Sequence, residues 1–443
     1  MKYSMIHDSP FRSILFFTLP ILGGMLLQQL YATVDGIIVG NWVSSLALGA
    51  VGTCTPVTSF LVSFATGFSS GFGVLFSQYF GAGEEEKMRR SWGTIRIIMA
   101  AAGVIFLLVG VLGGRAILVG LLQVPDSTLD MAVTYIRIYS LGMVFQMLYN
   151  AQAAALRSMG DSSSTLLFLV ISTVVNIVLD TLFVRAFHWD VAGVAVATVI
   201  AQGISWAAAS FYIHRRYAKL CGRPVFDRAL AGLIARLGIP TAVQSSALSL
   251  GSLGLQRLVN SFGTDMMEAY AAATRIESFV TMPIISLNIG ISTFTGQNLG
   301  AGQPERLRRG LRATLAMGAV SVAVIAAIVI LLSQPLVGLF GCTGRALDLG
   351  CRYLVFMAST LIIFMVLFTY KGLLTGAGAV GLSTIVTVLS MVIRMIFAYS
   401  AARYVGERAV WYSIAVDFTL GCIPFVLYYY LGHWRDRALV DRG

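Results

Sequence analysis

Charge is the first thing this chain lacks. Asp, Glu, Lys and Arg make up 12% of its 443 residues, where a soluble globular chain carries roughly a quarter. Hydrophobic residues make up 57%, and the mean hydropathy is +0.81. Composition alone therefore makes this a membrane protein. Lysine is scarcer still. Only Lys2, Lys87, Lys219 and Lys371 occur and none follows glycine, so a Walker A loop is excluded and ATP is not bound that way. The four histidines, His7, His188, His214 and His433, stand at span ends without metal-ligand spacing. Five cysteines make no disulfide framework. Cys342 and Cys351 either meet in one external loop or serve as unpaired small apolar residues. Short alternating segments of the β-barrel kind are missing as well. Nucleophile, cofactor and structural-metal signals are all lacking, so we expect no enzyme, and transport driven by an ion gradient or the substrate's own gradient.

What is present is apolar length. Twelve stretches can each cross roughly 30 Å of hydrocarbon: 11–39, 46–80, 92–121, 129–156, 163–187, 191–214, 229–261, 266–298, 310–340, 346–375, 380–403 and 409–432. The first is too long for a signal-peptide core and has no small-x-small site after it, so it reads as a span. The chain is also written twice. Gln78-Tyr-Phe-Gly81-Ala-Gly83 precedes Lys87, Arg89 and Arg90; 219 residues later, Gln297-Asn-Leu-Gly300-Ala-Gly302 precedes Arg306, Arg308 and Arg309. Pro20 matches Pro240, Tyr135 matches Tyr353, Gly160 matches Gly378, and Asn176 matches Arg394. Six spans return the chain to its starting side. The expected fold is therefore all-α, with twelve transmembrane helices in two parallel six-helix bundles, residues 1–222 and 223–443. The basic stretch Arg215–Arg228 joins them.

The net charge of +11 is explained by topology. With the N-terminus inside, seventeen of 31 Lys and Arg fall in cytoplasmic segments and six outside. Both termini are then cytoplasmic, and nucleic acid is not needed as a partner. The two basic loops after Gly83 and Gly302 read as structural. Pro20, Pro56, Pro240, Pro283, Pro335 and Pro424 lie inside spans, and each removes a backbone hydrogen bond. They mark either static kinks or bending points.

Away from the first few residues of each span, four acids lie within the spans: Asp35, Asp180, Glu277 and Asp417. An ionisable group there needs a partner or a purpose. Counting along the helices places Asp35 and Asp180 in the outer half of the first bundle, with Asn176 one turn below Asp180. Thr198, entering from the opposite side, reaches a similar depth. Such a set supplies hard oxygen ligands for Na⁺ or a proton-sharing site; polar glue between helices is the alternative. Glu277 is either the second half's functional acid or half of an ion pair with Arg275 or Arg257. Arg394, at the repeat position of Asn176, pairs with an acid or a carbonyl, or contacts substrate. Asp417 reads as a packing residue.

Leu19-Pro20 followed by Val34-Asp35-Gly36 and Val39-Gly40 resembles the first helix of the MATE (multidrug and toxic compound extrusion) family, bacterial type. Arg157-Ser-Met-Gly160-Asp161 running into Asn176-Ile-Val-Leu-Asp180, and Gly296-Gln297-Asn298-Leu-Gly300-Ala-Gly302, resemble it too, and the match covers about residues 10–430. The resemblance implies a V-shaped transporter in the bacterial inner membrane. It would export small, amphiphilic, often cationic organic compounds against inward H⁺ or Na⁺ flow, among membrane lipid and without a cofactor. It also assigns a cation site, for H⁺ or a bound Na⁺, to Asp35, Asn176, Asp180 and Thr198, and a bending first helix to Pro20. A branch of the family uses acids in the seventh and tenth helices. Here the seventh offers Gln244, Gln256 and Arg257 and the tenth carries Lys371, so that branch's mechanism is not expected. Of the two ions we favour H⁺. In the second half Glu277, Arg275, Lys371 and Arg394 remain candidates for substrate or coupling. With Arg257, the three basic ones also fit a different class, a lipid-linked oligosaccharide flippase.

Overall fold

A computed structural model describes residues 4–38, 43–120, 122–222, 225–434 and 439–440, without the side chains of 35–38, 45, 250 and 253. The first half holds α1 (Pro10–Ile38), α2 (Ser45–Ala82), α3 (Glu85–Gly120), α4 (Asp126–Leu141), α5 (Met143–Ser158), α6 (Ser162–Thr181) and α7 (Asp190–Arg216). The second holds α8 (Arg228–Asn260), α9 (Thr264–Gly300), α10 (Glu305–Leu331), the short α11 (Ser333–Gly338), α12 (Gly344–Gly376), α13 (Val380–Val405) and α14 (Arg408–Leu431). Among the described residues there is no strand. Among the described residues ten helices are long and apolar enough to cross a membrane, eleven if α4 and α5, bent by 46° to each other, count as one span. At 33 residues, α8 is about 50 Å long, long enough to cross but less apolar than those ten, which is consistent with the expected twelve.

Two expected spans are not single straight helices. The stretch 129–156 breaks at Gly142, where the chain bends; glycine holds a helix interior poorly. The stretch 310–340 ends its long helix at Leu331 and resumes as α11. Pro335 has no N–H to donate to Leu331, so the helix cannot run on unchanged.

The repeated Gly-Ala-Gly motifs stop α2 and α9 in the same way. Gly83 takes φ +71° and Gly302 φ +72°, a left-handed conformation that costs an L side chain but not glycine. The N–H of Gly83 folds back onto the Phe80 and Tyr79 carbonyls, satisfying the end of α2.

Contacts divide the chain into two compact units, but not at residue 222. One unit is Gly23–Ala242; the other is Met1–Leu22 with Val243–Gly443. Relative to the sequence halves, the opening segments of α1 and α8 have changed places. The cause is visible inside each unit. In the first, Gly71 of α2 brings α8 in at backbone distance from Leu237 and Gly238. In the second, Gly290 of α9 receives Thr18, Ile14 and Phe17 of α1. The approach to each helix is bolted down by the helix that follows. Thr94 of α3 accepts from the Asp227 N–H (3.1 Å), with Arg90 3.9 Å from the Asp227 carboxylate. Asn298 and Arg306 donate to the Met5 carbonyl (3.1 and 3.3 Å). Pro20 and Pro240 stand just before the points where α1 and α8 pass from one unit to the other.

Candidate functional site

Within the unit Gly23–Ala242, three helices bring polar groups together. Asn176 and Asp180, one turn apart on α6, are 2% and 0% exposed. Thr198 faces them from α7, with the Asn176 amide and the Thr198 hydroxyl 3.5 Å apart. With the amide oriented to satisfy its neighbours, Asn176 Nδ2 donates to Asp180 Oδ2 (2.9 Å) and to the Tyr31 hydroxyl (3.1 Å). Its Oδ1 then accepts from the Thr198 N–H (3.2 Å). The Thr198 hydroxyl also donates to the Val194 carbonyl (3.0 Å), fixing its rotamer. Asn176, Asp180 and Thr198, which counting along the helices put at one depth, thus do meet. The side chain of Asp35 lies outside the described residues. Its position in α1 is four residues beyond Tyr31, which was not foreseen as part of the group.

The second unit holds a different arrangement, in a cavity of about 290 Å³ between α8, α9, α12, α13 and α14. Tyr353, 2% exposed, donates its hydroxyl proton to Glu277 Oε2 at 2.7 Å. Tyr270 packs edge-on against Tyr353, with ring centroids 5.8 Å apart. Across the cavity Arg394 lies 3.5 Å from Asp417 and 3.4 Å from the Ser413 hydroxyl. Met391 and Met395 supply pliant apolar wall.

These positions correct part of the sequence reading. Glu277 forms no ion pair with Arg275 or Arg257; both arginines are exposed, and the carboxylate is bonded to Tyr353. Asp417 is not merely a packing residue, because it carries the countercharge of Arg394. Lys371 is not among the residues lining this cavity; its ammonium rests 5.1 Å over the Phe368 ring. Arg275 does not line it either. The basic residues that could have cradled a pyrophosphate therefore do not converge on it, and the one that enters faces two acids.

With the geometry in place, the likeness to known proteins can be read. A family model described as MatE matches residues 20–182 and again 240–400, starting each time at the proline of the half's first helix. The chain belongs to the MatE family. Its relatives include the probable multidrug resistance protein YpnP of Bacillus subtilis (strain 168), 27% identical over 99% of this chain and 98% of that one. The multidrug export protein MepA of Staphylococcus aureus (strain NCTC 8325 / PS 47) is 23% identical over 97% and 95%. Among solved structures, MATE in the bent conformation superposes with a TM-score of 0.91 at 20% identity, covering 98% of each chain. The outward-facing conformation of a multidrug resistance MATE family transporter of the MOP superfamily gives 0.87 at 21%, covering 98% of this chain and 97% of that one. This MATE chain is thus a multi-pass membrane transporter with the family's fold.

Proposed function

We propose that this MATE chain is a cation-coupled antiporter that moves amphiphilic, cationic organic compounds out of the cytoplasm, with H⁺ as the driving ion. The observation that carries the reading is the buried Asp180 bonded to Asn176 and grouped with Tyr31 and Thr198 from two neighbouring helices. A carboxylate so placed is costly in its charged form, and taking up a cation relieves that cost. The orientation of Asn176 supports the proton. Its N–H groups point at Asp180 and Tyr31 and its oxygen is engaged by the Thr198 N–H, so in this orientation the amide itself is not offered to an Na⁺. Asp35, one helical turn from Tyr31, completes the set in this reading, and Tyr31 links α1 to it. Loading and unloading would then bias the shape of α1, with Pro20 as its bending point. Both termini lie in the cytoplasm, in keeping with the distribution of Lys and Arg.

For the substrate we assign the cavity beside Glu277. Its Tyr270, Tyr353, Met391 and Met395 walls suit a flat organic cation, and Glu277 supplies the charge that Arg394 leaves unneutralised once it is matched by Asp417. That ion pair also weakens the flippase alternative. The experiment is efflux of a fluorescent organic cation from proteoliposomes. Export under an imposed pH gradient, with membrane potential clamped and no Na⁺ gradient, is the expected result. Export driven by Na⁺ alone at symmetric pH would replace the ion, and no export under either gradient would remove the reading.

A further inference from the structure

The larger cavity of the second unit, about 710 Å³, lies where α10 begins and where α12 and α14 end. Two arginines edge it, Arg308 and Arg312, one turn apart on the same face of α10. Its aromatic wall is held rigid. Trp434 stacks on Tyr429 at 5.4 Å and 19°, and its indole N–H donates to the Tyr429 carbonyl (2.8 Å). Tyr370 and Tyr430 meet Tyr429 edge-on, at 5.2 and 5.0 Å. No lining residue is acidic among those described.

The first half shows how unusual the two arginines are. At the repeat position of Arg308 stands Arg89, bonded to Glu86 at 3.0 Å; its neighbour Arg90 takes the same carboxylate at 2.8 Å. Lys87 pairs with Glu84 at 3.4 Å. The second half also carries a glutamate one turn back, Glu305. Yet among the described residues no carboxylate lies within 4 Å of Arg308 or Arg312, whereas Arg306 is spent on Asn298 and the Met5 carbonyl. Farther into α10 the cavity is floored by the buried Leu311 and the half-buried Leu315, while α14 exposes Leu427 and Ile423 on the face of Tyr430. Counting back from the end of α14, beside the two arginines at the start of α10, the exposed Tyr430 is followed by the exposed apolar Leu427 and Ile423, in the order of a phospholipid's own parts.

We propose that this cavity binds the phosphate headgroup of an anionic phospholipid on Arg308 and Arg312, with the acyl chains descending along the exposed Leu427 and Ile423 of α14. The free phosphate group shares the headgroup chemistry. The lipid is favoured because Tyr430, at the cavity, shares its face of α14 with the exposed Leu427 and Ile423, which a soluble anion would not cover.

Trp434 is the built-in reporter. Full-length protein is placed in phosphatidylcholine vesicles containing brominated phosphatidylglycerol or, at equal fraction, brominated phosphatidylcholine, and tryptophan quenching is followed. The expected result is an excess of quenching by the anionic lipid that disappears in Trp434→Phe. Arg308→Gln and Arg312→Gln should each weaken the preference about fivefold. Both arginines are exposed and hold no internal partner among the described residues, so these variants should fold; organic-cation efflux in pure phosphatidylcholine should be unchanged by them. Equal quenching by the two lipids, or a preference kept by the double arginine variant, overturns the proposal. So does loss of the excess quenching on adding inorganic phosphate, which would make this a soluble-anion site. Because the readout is lipid contact, failure here leaves the export reading untouched, and failure of export leaves this one.

Discussion

The two units fill one pair of positions in opposite ways. In the first, Asn176 of α6 and Thr198 of α7 face each other at 3.5 Å beside the buried Asp180. In the second, 218 and 219 residues on, stand Arg394 of α13 and Asp417 of α14, also 3.5 Å apart. An amide and a hydroxyl have been exchanged for a guanidinium and a carboxylate, and Ala398 stands where Asp180 would be. The second unit therefore carries its cation as part of the chain. The first gathers neutral groups around an acid, the arrangement we propose exchanges a cation with solution. Opposite Tyr31 of α1 the repeat has Gly251 of α8, and the room so released is filled by the side chain of Met391, which with Gly251 lines the cavity at Glu277. In the proposed reading, one frame holds a site for a small ion in one half and a space for an organic cation in the other.

The largest effect should come from the acid of the first unit. Asp180→Asn is expected to reduce gradient-driven efflux to background while the protein inserts and folds, since a buried charge is removed together with its desolvation cost. Asp35→Asn should do the same, and combining the two should add little, because members of one site fail together. Proteoliposome efflux at matched protein content measures all three. Fully additive partial losses would separate the residues into different sites and dissolve the contrast.

Next in size is the fixed pair of the second unit. Arg394→Asn strands Asp417, and Asp417→Thr strands Arg394. Each should destabilise by about 2–3 kcal/mol, below the range for fully buried pairs because both side chains are about a fifth exposed. The double variant recreates the amide–hydroxyl pair of the first unit and should recover most of that loss. Thermal unfolding in detergent reads this cycle, and a double variant as unstable as the sum of the singles would mean that the pair is not the coupled unit described here.

The substrate assignment is tested more gently. Glu277→Gln should raise the half-saturating concentration of an organic cation about tenfold, ~1.4 kcal/mol, with coupling to the gradient retained. Tyr353→Phe, which removes one hydrogen bond to that carboxylate, should cost about 1 kcal/mol or less. An unchanged half-saturation in Glu277→Gln would move the substrate elsewhere.

Much of this could be read in the chain before any coordinates. The spans follow from hydropathy, and the repeat from its glycines and prolines, since both are written locally. Counting 1.5 Å per residue from opposite membrane faces brought Asn176, Asp180 and Thr198 to one depth, and they do meet. Tyr31 went unseen because a tyrosine in an apolar helix carries no signal of its own. For Glu277 the sequence leaves open a functional acid or an ion pair with Arg275 or Arg257; residues two apart face different sides of a helix, and the acid turns to Tyr353 on α12. The bend at Gly142 and the exchange of the first segments of α1 and α8 depend on close packing between helices distant in sequence, which periodicity does not record.

The smallest effect asks whether the shared frame is as even as the sites are uneven. Gly83 and Gly302 end α2 and α9 at φ +71° and +72°. Alanine at either position has to adopt the left-handed conformation, at a cost of about 1 kcal/mol. At Gly83 an added Cβ meets nothing within 4 Å, so backbone strain is the whole penalty there. If the halves share a frame, Gly83→Ala and Gly302→Ala should lower the unfolding midpoint by similar, small amounts and leave efflux per folded molecule unchanged. A much larger loss at Gly302 than at Gly83 would point to the Asn298–Arg306 clasp on Met5 as the more heavily used of the two anchors. The asymmetry between the halves would then extend from their sites into the frame.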